Sequence, residues 1–215
     1  MNRILVFLLI SLFHFGVRLH GQTFENYKSG IAIADIPVPH GLKPGDKAPD
    51  FTGYDQSGAH MQSNKILENG PMVLFFYWGK WSPVCSRYLN NYQDSLDILT
   101  GMGVKIVAIT PESIENVEQT VKLHNLSFTV IYDCQEQIMK DYNLMFNVTK
   151  EYQDSIKNHL SIDIAKNNGR DVAHLPVPAT YVINRYGFIV AVHVDSDFDN
   201  RASVKWIIQN LAAAF

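Results

Sequence analysis

The chain has 215 residues, of which 47% are hydrophobic and 18% are charged. This composition is typical of one globular domain and excludes a disordered, collagenous or coiled-coil protein. The 18 basic and 21 acidic side chains give a net charge of −3, and no two Lys or Arg residues are adjacent, so no partner nucleic acid is expected. Two cysteines are too few for a disulfide scaffold and lack the clustering of a zinc site.

Residues 1–21 predict a secretory signal peptide. Arg3 precedes an apolar run over residues 4–13, and Gly21 provides a small residue at the expected cleavage point. The apolar run is shorter than the roughly 20 residues that a membrane span needs, so no stable membrane span is expected. The prediction is export to a periplasmic or extracellular location, and an uncleaved signal would leave the protein tethered to the membrane.

Residues 22–41 predict an irregular N-terminal arm, because they show no clear period and end near Pro37 and Pro39. The folded domain is expected over residues 42–215. It begins with a short β-hairpin around the turn at residues 55–58. The continuous apolar run at residues 72–78 then predicts a central strand that is buried on both faces.

Helices and strands are expected to alternate after this central strand, which favours an α/β fold with a parallel or mixed sheet covered on both faces. The predicted elements are a helix from Pro83 to residue 101 or 103, a strand at 104–109, a helix opened by Thr110 and Pro111, a strand at 128–132, a helix near 135–142, a polar helical insert near 151–160, a hairpin of strands at 179–184 and 188–194, and a closing helix at 202–214.

Cys85 is the main candidate for a reactive group. It falls in the first turn of the helix after the central strand, at the sheet edge where α/β proteins bind their ligands. Unpaired amide hydrogens and the positive end of the helix dipole favour a thiolate there, and Lys80 and Arg87 add cations nearby in the sequence. The alternative interpretation is a cysteine that only fills the core.

Three segments resemble the redoxin branch of the thioredoxin superfamily, and more narrowly its peroxiredoxin-like AhpC/TSA proteins. They read GDKAPDF at 45–51, FYWGKWSPVC at 76–85 and LPVPATYVIN at 175–184. The resemblance implies a thioredoxin-like α/β fold, in which helices flank a central mixed sheet, with an added N-terminal β-hairpin and a helical insert before a cis-proline at Pro178. It also implies a substrate-binding surface formed by Trp81, Pro83, Val177 and Pro178 around Cys85.

The active-site motif departs from the family pattern. Ser82 replaces the first cysteine of the relatives' C-x-x-C, which excludes a dithiol cycle within the motif. Ser82 can instead cap the helix or donate a hydrogen bond to the Cys85 sulfur, and S-x-x-C resembles the T-x-x-C with which peroxiredoxins hold a hydroperoxide. The proline of that pattern corresponds to Trp78, the arginine expected after the third strand falls at Glu136, and Phe76 replaces the buried carboxylate that thioredoxins keep on the central strand.

Cys134 follows the third predicted strand and therefore ends at the same sheet edge as Cys85. Two interpretations stay open: a disulfide between the two cysteines that requires loop motion, or two independent thiols.

The predicted function is that of an exported thiol-dependent antioxidant oxidoreductase. The catalytic residues would be Cys85, Ser82 and Cys134, the substrate a peroxide or a protein disulfide, and the reductant Cys134 or an external thiol such as a thioredoxin-like protein. No metal or organic cofactor is implied. The alternatives are a redox-silent thioredoxin-fold module that binds extended peptides near Pro178 and a structural protein with a Cys85–Cys134 disulfide.

Overall fold

The computed structural model describes residues 32–35 and 37–215. The signal peptide predicted at residues 1–21 and much of the arm predicted at 22–41 lie outside the described residues. Within the described arm, Ile33 forms an isolated antiparallel bridge with Val148. None of the helices formed by the described residues is long and apolar enough to cross a membrane.

Nine strands and eight α-helices are found in the described part of the chain. The strands are β1 (Thr52–Asp55), β2 (His60–Gln62), β3 (Met72–Phe76), β4 (Lys105–Thr110), β5 (Thr129–Tyr132), β6 (Met145–Asn147), β7 (His174–Pro176), β8 (Ala179–Ile183) and β9 (Ile189–Val194). The helices are α1 (Ser63–Leu67), α2 (Pro83–Asp94), α3 (Leu96–Gly101), α4 (Ile114–His124), α5 (Gln137–Asp141), α6 (Lys150–Leu160), α7 (Ile164–Asn167) and α8 (Val204–Leu211), followed by a 3₁₀ turn at Ala212–Ala214.

Seven of these strands form one mixed sheet in the order β2-β1-β5-β4-β3-β8-β9. The pairs β3–β4 and β4–β5 are parallel, whereas β3–β8, β8–β9, β1–β5 and β1–β2 are antiparallel. The added hairpin β1–β2 lies at one edge of this sheet. The architecture is therefore the central mixed sheet with an N-terminal hairpin that the family resemblance implies.

Strand β3 lies at the centre of the sheet, and all five of its residues are buried. Phe75 packs against Tyr92 of α2 with ring centroids 4.7 Å apart, and Phe76 packs against Tyr142 at 5.3 Å. Successive side chains of a strand point to opposite faces, so both faces of β3 are covered. This burial explains why the segment reads as an uninterrupted apolar run rather than an alternating one.

The polar insert predicted before Pro178 is confirmed as helix α6, which α7 follows. The insert is flanked by a two-stranded ribbon, β6 paired antiparallel with β7, which the sequence pattern did not predict because three-residue strands show no measurable period. The indole Nε1 of Trp78 donates a 2.7 Å hydrogen bond to the carbonyl of Pro176. The insert is therefore attached to the loop that follows β3.

The helix expected to begin at Thr110 and Pro111 begins later, so that prediction is wrong. Thr110 is the last residue of β4, and α4 starts at Ile114 after Ser113 in an extended conformation. The reason is Glu112, which is 1% exposed and forms hydrogen bonds with Lys80 and Thr120 of other elements. Those buried hydrogen bonds hold residues 111–113 in a turn instead of a first helical turn.

The single helix expected from Pro83 to residue 101 or 103 is divided in two. Ser95 ends α2 and precedes α3, with φ −105° and ψ 6°, outside the helical region. Serine and aspartate side chains can hydrogen-bond to nearby backbone groups and so compete with the helical hydrogen bonds. The two helices are divided at Asp94 and Ser95.

Candidate active site

Cys85 is placed by the N-terminus of α2. Ser82 precedes the helix in an extended conformation, Pro83 occupies the first helical position, and the Ser82 Oγ accepts the Cys85 amide hydrogen at 3.4 Å. Both residue types are favoured at these positions, because serine satisfies an unpaired amide and proline has none to satisfy. The capping role expected for Ser82 is therefore confirmed, and it leaves the Cys85 side chain in the first turn.

Arg201 provides the cation at the Cys85 sulfur. Its Nη2 donates to Cys85 Sγ at 3.6 Å, its Nη1 donates to the carbonyl of Phe76 at 3.2 Å, and its Nε donates to the carbonyl of Phe198 at 2.7 Å. Two backbone carbonyls thus fix the plane of the guanidinium. Arg201 is thus a fixed charged hydrogen-bond donor that can stabilise negative charge developing at the sulfur or on an atom beside it.

The loop after β9 positions Arg201 through a series of local hydrogen bonds. The carboxylate of Asp195 accepts the amide of Asp197 at 2.8 Å, and the carboxylate of Asp197 accepts the amide of Asp199 at 3.1 Å. Helix α2 holds the loop from the other side: the Tyr88 hydroxyl donates to the Asp199 carbonyl at 3.2 Å, and Arg87 pairs with the Asp199 carboxylate at 3.3 Å. Aspartates at alternate positions are suited to such turns.

Sequence reasoning did not assign Arg201 to the site. The cations expected near Cys85 point elsewhere, because Lys80 Nζ bonds to the side chain of Gln119 and the Arg87 side chain is 57% exposed. Arg201 is 116 positions from Cys85 in the chain, so no local pattern connects them.

Glu136 occupies the position at which the family pattern predicted an arginine. Its carboxylate pairs with His174 Nδ1 at 2.9 Å and thereby connects the loop after β5 with β7. The His174 Nε2 lies 3.0 Å from the Asn147 side-chain oxygen, so both ring nitrogens are used within this contact. The Glu136 carboxylate is therefore already paired with His174.

Cys85 is 1% exposed, and the cavity beside it is very small. Its volume is about 10 Å³, which is room for roughly one water-sized molecule. The lining residues are Phe75, Phe76, Tyr77, Cys85, Tyr88, Leu89, Tyr92, Thr180 and Arg201. In this conformation the cavity holds at most one water-sized molecule, so a protein disulfide is excluded and a small oxidant requires only a slight opening.

Two of the four predicted substrate-binding residues lie at the start of α2. Trp81 is buried and stacks on Trp78 with ring centroids 5.9 Å apart, while Pro83 is exposed. Trp81 Nε1 has no hydrogen-bond partner among the described residues. Pro83 is thus the accessible member of this pair, and the substrate-binding role of both stays a prediction.

The other two, Val177 and Pro178, are buried and directly precede β8. The amide of Val177 donates to the carbonyl of Leu144 at 2.8 Å, and the carbonyl of Pro178 accepts the amide of Asp195 at 3.3 Å. These two backbone groups are therefore already bonded within the chain. An extended peptide that paired here would have to displace those bonds.

Cys134 is exposed, in contrast to Cys85, and both thiols are free. Cys134 lines a separate cleft of about 540 Å³ that also contains Asp50 and Asp141. The strands leading to the two cysteines, β3 and β5, are separated by β4, which is a distance of about 10 Å. A disulfide needs α-carbons within about 7 Å, so the resolving role predicted for Cys134 would require backbone movement, and it stays a prediction.

A buried carboxylate lies under the turn before α2. Glu112 Oε1 accepts the amide of Lys80 at 3.2 Å, and Glu112 Oε2 lies 2.9 Å from the Thr120 hydroxyl. Burial raises the pKa of Glu112, and these hydrogen bonds lower it in part. The sequence had predicted no such carboxylate, because Phe76 replaces the one expected on the central strand. The structure supplies one from the end of β4.

Tyr77 lies between this carboxylate and the cysteine. It lines the cavity at Cys85, and its buried hydroxyl has no hydrogen-bond partner of ordinary geometry among the described residues. Burial raises the pKa of Tyr77 well above its usual range, and the neighbouring Glu112 and Cys85 raise it further. Among residues 32–35 and 37–215, no three His, Cys, Asp or Glu side chains come together as they would around a metal ion.

Comparison with known proteins places this chain in a family that includes redox proteins. A family model described as AhpC/TSA matches residues 44–192. A protein of Mycobacterium tuberculosis described as a peroxiredoxin is 28% identical over 98 residues, which cover 46% of this chain and 62% of the relative. The chain therefore spans less than two thirds of that relative. The thiol-disulfide oxidoreductase ResA of Geobacillus thermodenitrificans is 27% identical over 135 residues, 62% of this chain and 70% of ResA.

Solved structures share the fold. Reduced Prx3 of Vibrio vulnificus, determined in complex with hydrogen peroxide, superimposes with a TM-score of 0.62 at 16% identity. The superposition covers 79% of this chain and 99% of Prx3. At this identity the likeness concerns the fold alone, which is the thioredoxin-like fold with the added hairpin.

Proposed function

The chain belongs to the AhpC/TSA family, and from this premise we propose that it is a thiol-dependent peroxidase whose Cys85 is oxidised by a hydroperoxide. One observation carries the proposal: a fixed Arg201 guanidinium donates to the sulfur of a buried Cys85 beside a cavity for one small molecule. This arrangement puts a fixed cation at the nucleophilic sulfur and excludes large oxidants from it.

The reaction begins with attack of the Cys85 thiolate on the distal oxygen of the hydroperoxide. An S–O bond forms, the O–O bond breaks, and the leaving oxygen takes up a proton and departs as water or an alcohol. Arg201 holds the positive charge at the sulfur, and the Ser82 cap keeps Cys85 in the first turn of α2. The product is a sulfenic acid on Cys85.

An external dithiol, such as a thioredoxin-like protein, would complete the cycle. Its first thiol forms a mixed disulfide with Cys85 and releases water, and its second thiol displaces Cys85 as a thiol. Because Ser82 replaces the neighbouring cysteine and Cys134 lines a different cleft, we favour an external reductant over internal resolution by Cys134. Its thiol reaches the sulfur only when the oxidised Cys85 leaves its buried position.

Thiol–disulfide exchange is the second candidate, favoured by the likeness to ResA over 62% of the chain. It would require Cys85 to leave its buried position, and an extended substrate would have to displace the backbone bonds of Val177 and Pro178. The same two bonds oppose the redox-silent peptide-binding alternative. Oxidation by a small hydroperoxide displaces neither backbone hydrogen bond and requires only a slight opening at the cavity, which is why we favour the peroxidase.

We also propose that the protein is exported, on the basis of the apolar run and Gly21 near its N-terminus. Expression with residues 1–21 intact, followed by N-terminal sequencing of the exported protein, tests this. The expected first residue is near Gln22; an intact Met1 in the membrane fraction would indicate a tether instead.

Single-turnover oxidation of the reduced protein tests the peroxidase proposal. Hydrogen peroxide at equal concentration should produce a dimedone-trappable sulfenic acid in wild type and in Cys134→Ser, because the first step uses Cys85 alone, and none in Cys85→Ser. If wild type is inert to peroxide but reduces insulin disulfides, thiol–disulfide exchange is the function.

A further inference from the structure

The hydrogen bonds around Glu112 indicate where its proton lies. The Thr120 Oγ1 is 2.9 Å from Glu112 Oε2 and also 2.9 Å from the carbonyl oxygen of Asn116. A threonine hydroxyl has one proton, so it cannot make a full hydrogen bond to both oxygens. If Oε2 carries a proton, Glu112 donates to Thr120, Thr120 donates to Asn116, and both contacts are satisfied.

The other carboxyl oxygen faces donors only. Glu112 Oε1 accepts from the Lys80 amide at 3.2 Å and from the Asn167 side-chain amide at 3.5 Å. One oxygen of the Glu112 carboxyl group therefore accepts from donors, and the other faces a hydroxyl whose proton is used in the bond to Asn116. This is the hydrogen-bond pattern of a neutral carboxylic acid.

The surroundings of Glu112 support the same protonation state. The side chain is 1% exposed, and no described residue forms an ion pair with its carboxyl group. The nearest cation is Lys80, whose Nζ bonds to Gln119 instead. Burial of an unpaired carboxylate is costly, and it raises the pKa of Glu112.

Tyr77 connects this acid with the Cys85 cavity. Its side chain lines that cavity, and its buried hydroxyl has no hydrogen-bond partner of ordinary geometry among the described residues. Burial and the neighbouring Glu112 and Cys85 raise the pKa of Tyr77, and the hydroxyls of Thr110 and Thr120 lower it in part. A buried hydroxyl left unpaired is costly, and a substrate oxygen in the cavity beside Cys85 would provide the missing partner.

We infer that Glu112 is held as a neutral carboxylic acid and supplies, through Thr120 and Tyr77, the proton taken up by the oxygen that leaves when a hydroperoxide reacts with Cys85. This inference rests on the proposed peroxidase function. The Cys85 thiolate bonds to the distal oxygen, which keeps its hydrogen, and the O–O bond breaks. The leaving oxygen takes the Tyr77 proton. Thr120 turns its hydroxyl from the Asn116 carbonyl to Tyr77 and restores that proton, while Glu112 passes its own proton to Thr120 and becomes a carboxylate, which is later protonated from solvent. The hydroperoxide is the only oxidant, and the cysteine is the only group oxidised.

Glu112→Gln is the direct test, because the amide keeps the shape and can still donate to Thr120 but holds no transferable proton. The matched control is Glu136→Gln, which replaces another buried carboxyl that pairs with His174 away from the cavity. Three reagents distinguish a loss of proton donation to the leaving group from a loss of nucleophilicity at Cys85. Hydrogen peroxide has a poor leaving group that needs a proton, peracetic acid releases the weakly basic acetate, and iodoacetamide releases iodide.

We expect Glu112→Gln to slow the reaction of Cys85 with hydrogen peroxide by about 100-fold or more, the size of general acid catalysis, with little change for peracetic acid or iodoacetamide. Thr120→Val should show the same selectivity, and it decides the question if Glu112→Gln does not fold. Glu136→Gln should change none of the three rates. Infrared spectra at neutral pH should contain a carboxylic acid carbonyl band that Glu112→Gln lacks.

Several outcomes would overturn the inference. Equal peroxide rates for wild type and both variants would exclude a proton from Glu112 while leaving the peroxidase intact. Equal slowing with all three reagents would show a structural role only. A wild type that reacts with neither peroxide would overturn the proposed function together with the inference.

Discussion

At the scale of single residues, the charge beside the sulfur comes from Arg201. We expect Arg201→Met to slow oxidation of Cys85 by hydrogen peroxide about 10- to 100-fold, because a hydrogen bond from a charged group contributes about 1.5–3 kcal/mol. Stopped-flow measurement of the second-order rate constant checks this. Arg185→Met is the matched control, because Arg185 is exposed between β8 and β9 and its guanidinium lies over the Tyr186 ring rather than at the Arg201 loop. Equal slowing in the two variants would contradict a specific role for Arg201.

Gly79 is a second residue whose identity the site requires. Its φ is +148°, and a Cβ at this position would lie 2.6 Å from the Glu112 carboxyl group. Gly79→Ala should therefore lower the free energy of unfolding by about 1–3 kcal/mol more than a glycine-to-alanine substitution at a position where the added Cβ meets no other atom. Gly58→Ala is that comparison, since Gly58 also has positive φ (+79°) but open space around it. Urea unfolding of both variants measures the difference, and equal losses would show that the Glu112 contact does not matter.

At the scale of elements, the N-terminus of α2 combines a stabilising and a chemical role. Ser82→Ala and Ser203→Ala each remove a side-chain cap, from α2 and α8 respectively. We expect both to lower the free energy of unfolding by about 1 kcal/mol. Only Ser82→Ala should also slow alkylation of Cys85 by iodoacetamide, because the Ser82 cap accepts the Cys85 amide. Similar alkylation rates in the two variants would mean that the cap affects stability alone.

The elements that the sequence predicted best are those with a strong local signal. The run at residues 72–78 predicted a buried central strand, and the structure has β3 there with every residue buried. The start of α4 was wrong by several residues because Thr110 and Pro111 carry a good helix-start pattern, which the buried contacts of Glu112 override. Local preference is worth tenths of a kcal/mol to about one, less than the cost of removing a buried hydrogen-bond network.

At the scale of the whole molecule, Glu112 should make stability depend on pH. Burial raises the pKa of Glu112 in the folded chain above its ordinary value of 4.5. Its stabilising contribution is therefore complete below about pH 4.5 and is lost as pH rises through the folded-state pKa. Relative to Glu112→Gln, whose amide does not titrate, wild type should lose stability over that range. Urea unfolding of both proteins at a series of pH values measures it, and the buried Asp133, whose pKa is also raised, cancels in the difference. Parallel curves would contradict the prediction.

The sequence by itself determined the main alternation of strands and helices around β3 and the position of Cys85 at the start of α2, and it offered the cap as one of two roles for Ser82. These features depend on the periodicity of apolar residues and on the preferences of Ser and Pro at a helix start, both of which act over a few neighbouring positions. The motif resemblance predicted the family on the same local evidence.

Only the tertiary structure decided which groups surround the sulfur. Arg201 reaches Cys85 from the loop after β9, and Glu112 reaches the turn before α2 from the end of β4. The size of the cavity and the burial of Cys85 depend on side chains from several strands and helices packing together. Such contacts join positions that are far apart in the chain, and their geometry is set by the crossing of elements rather than by any short pattern, so residue order alone does not disclose them.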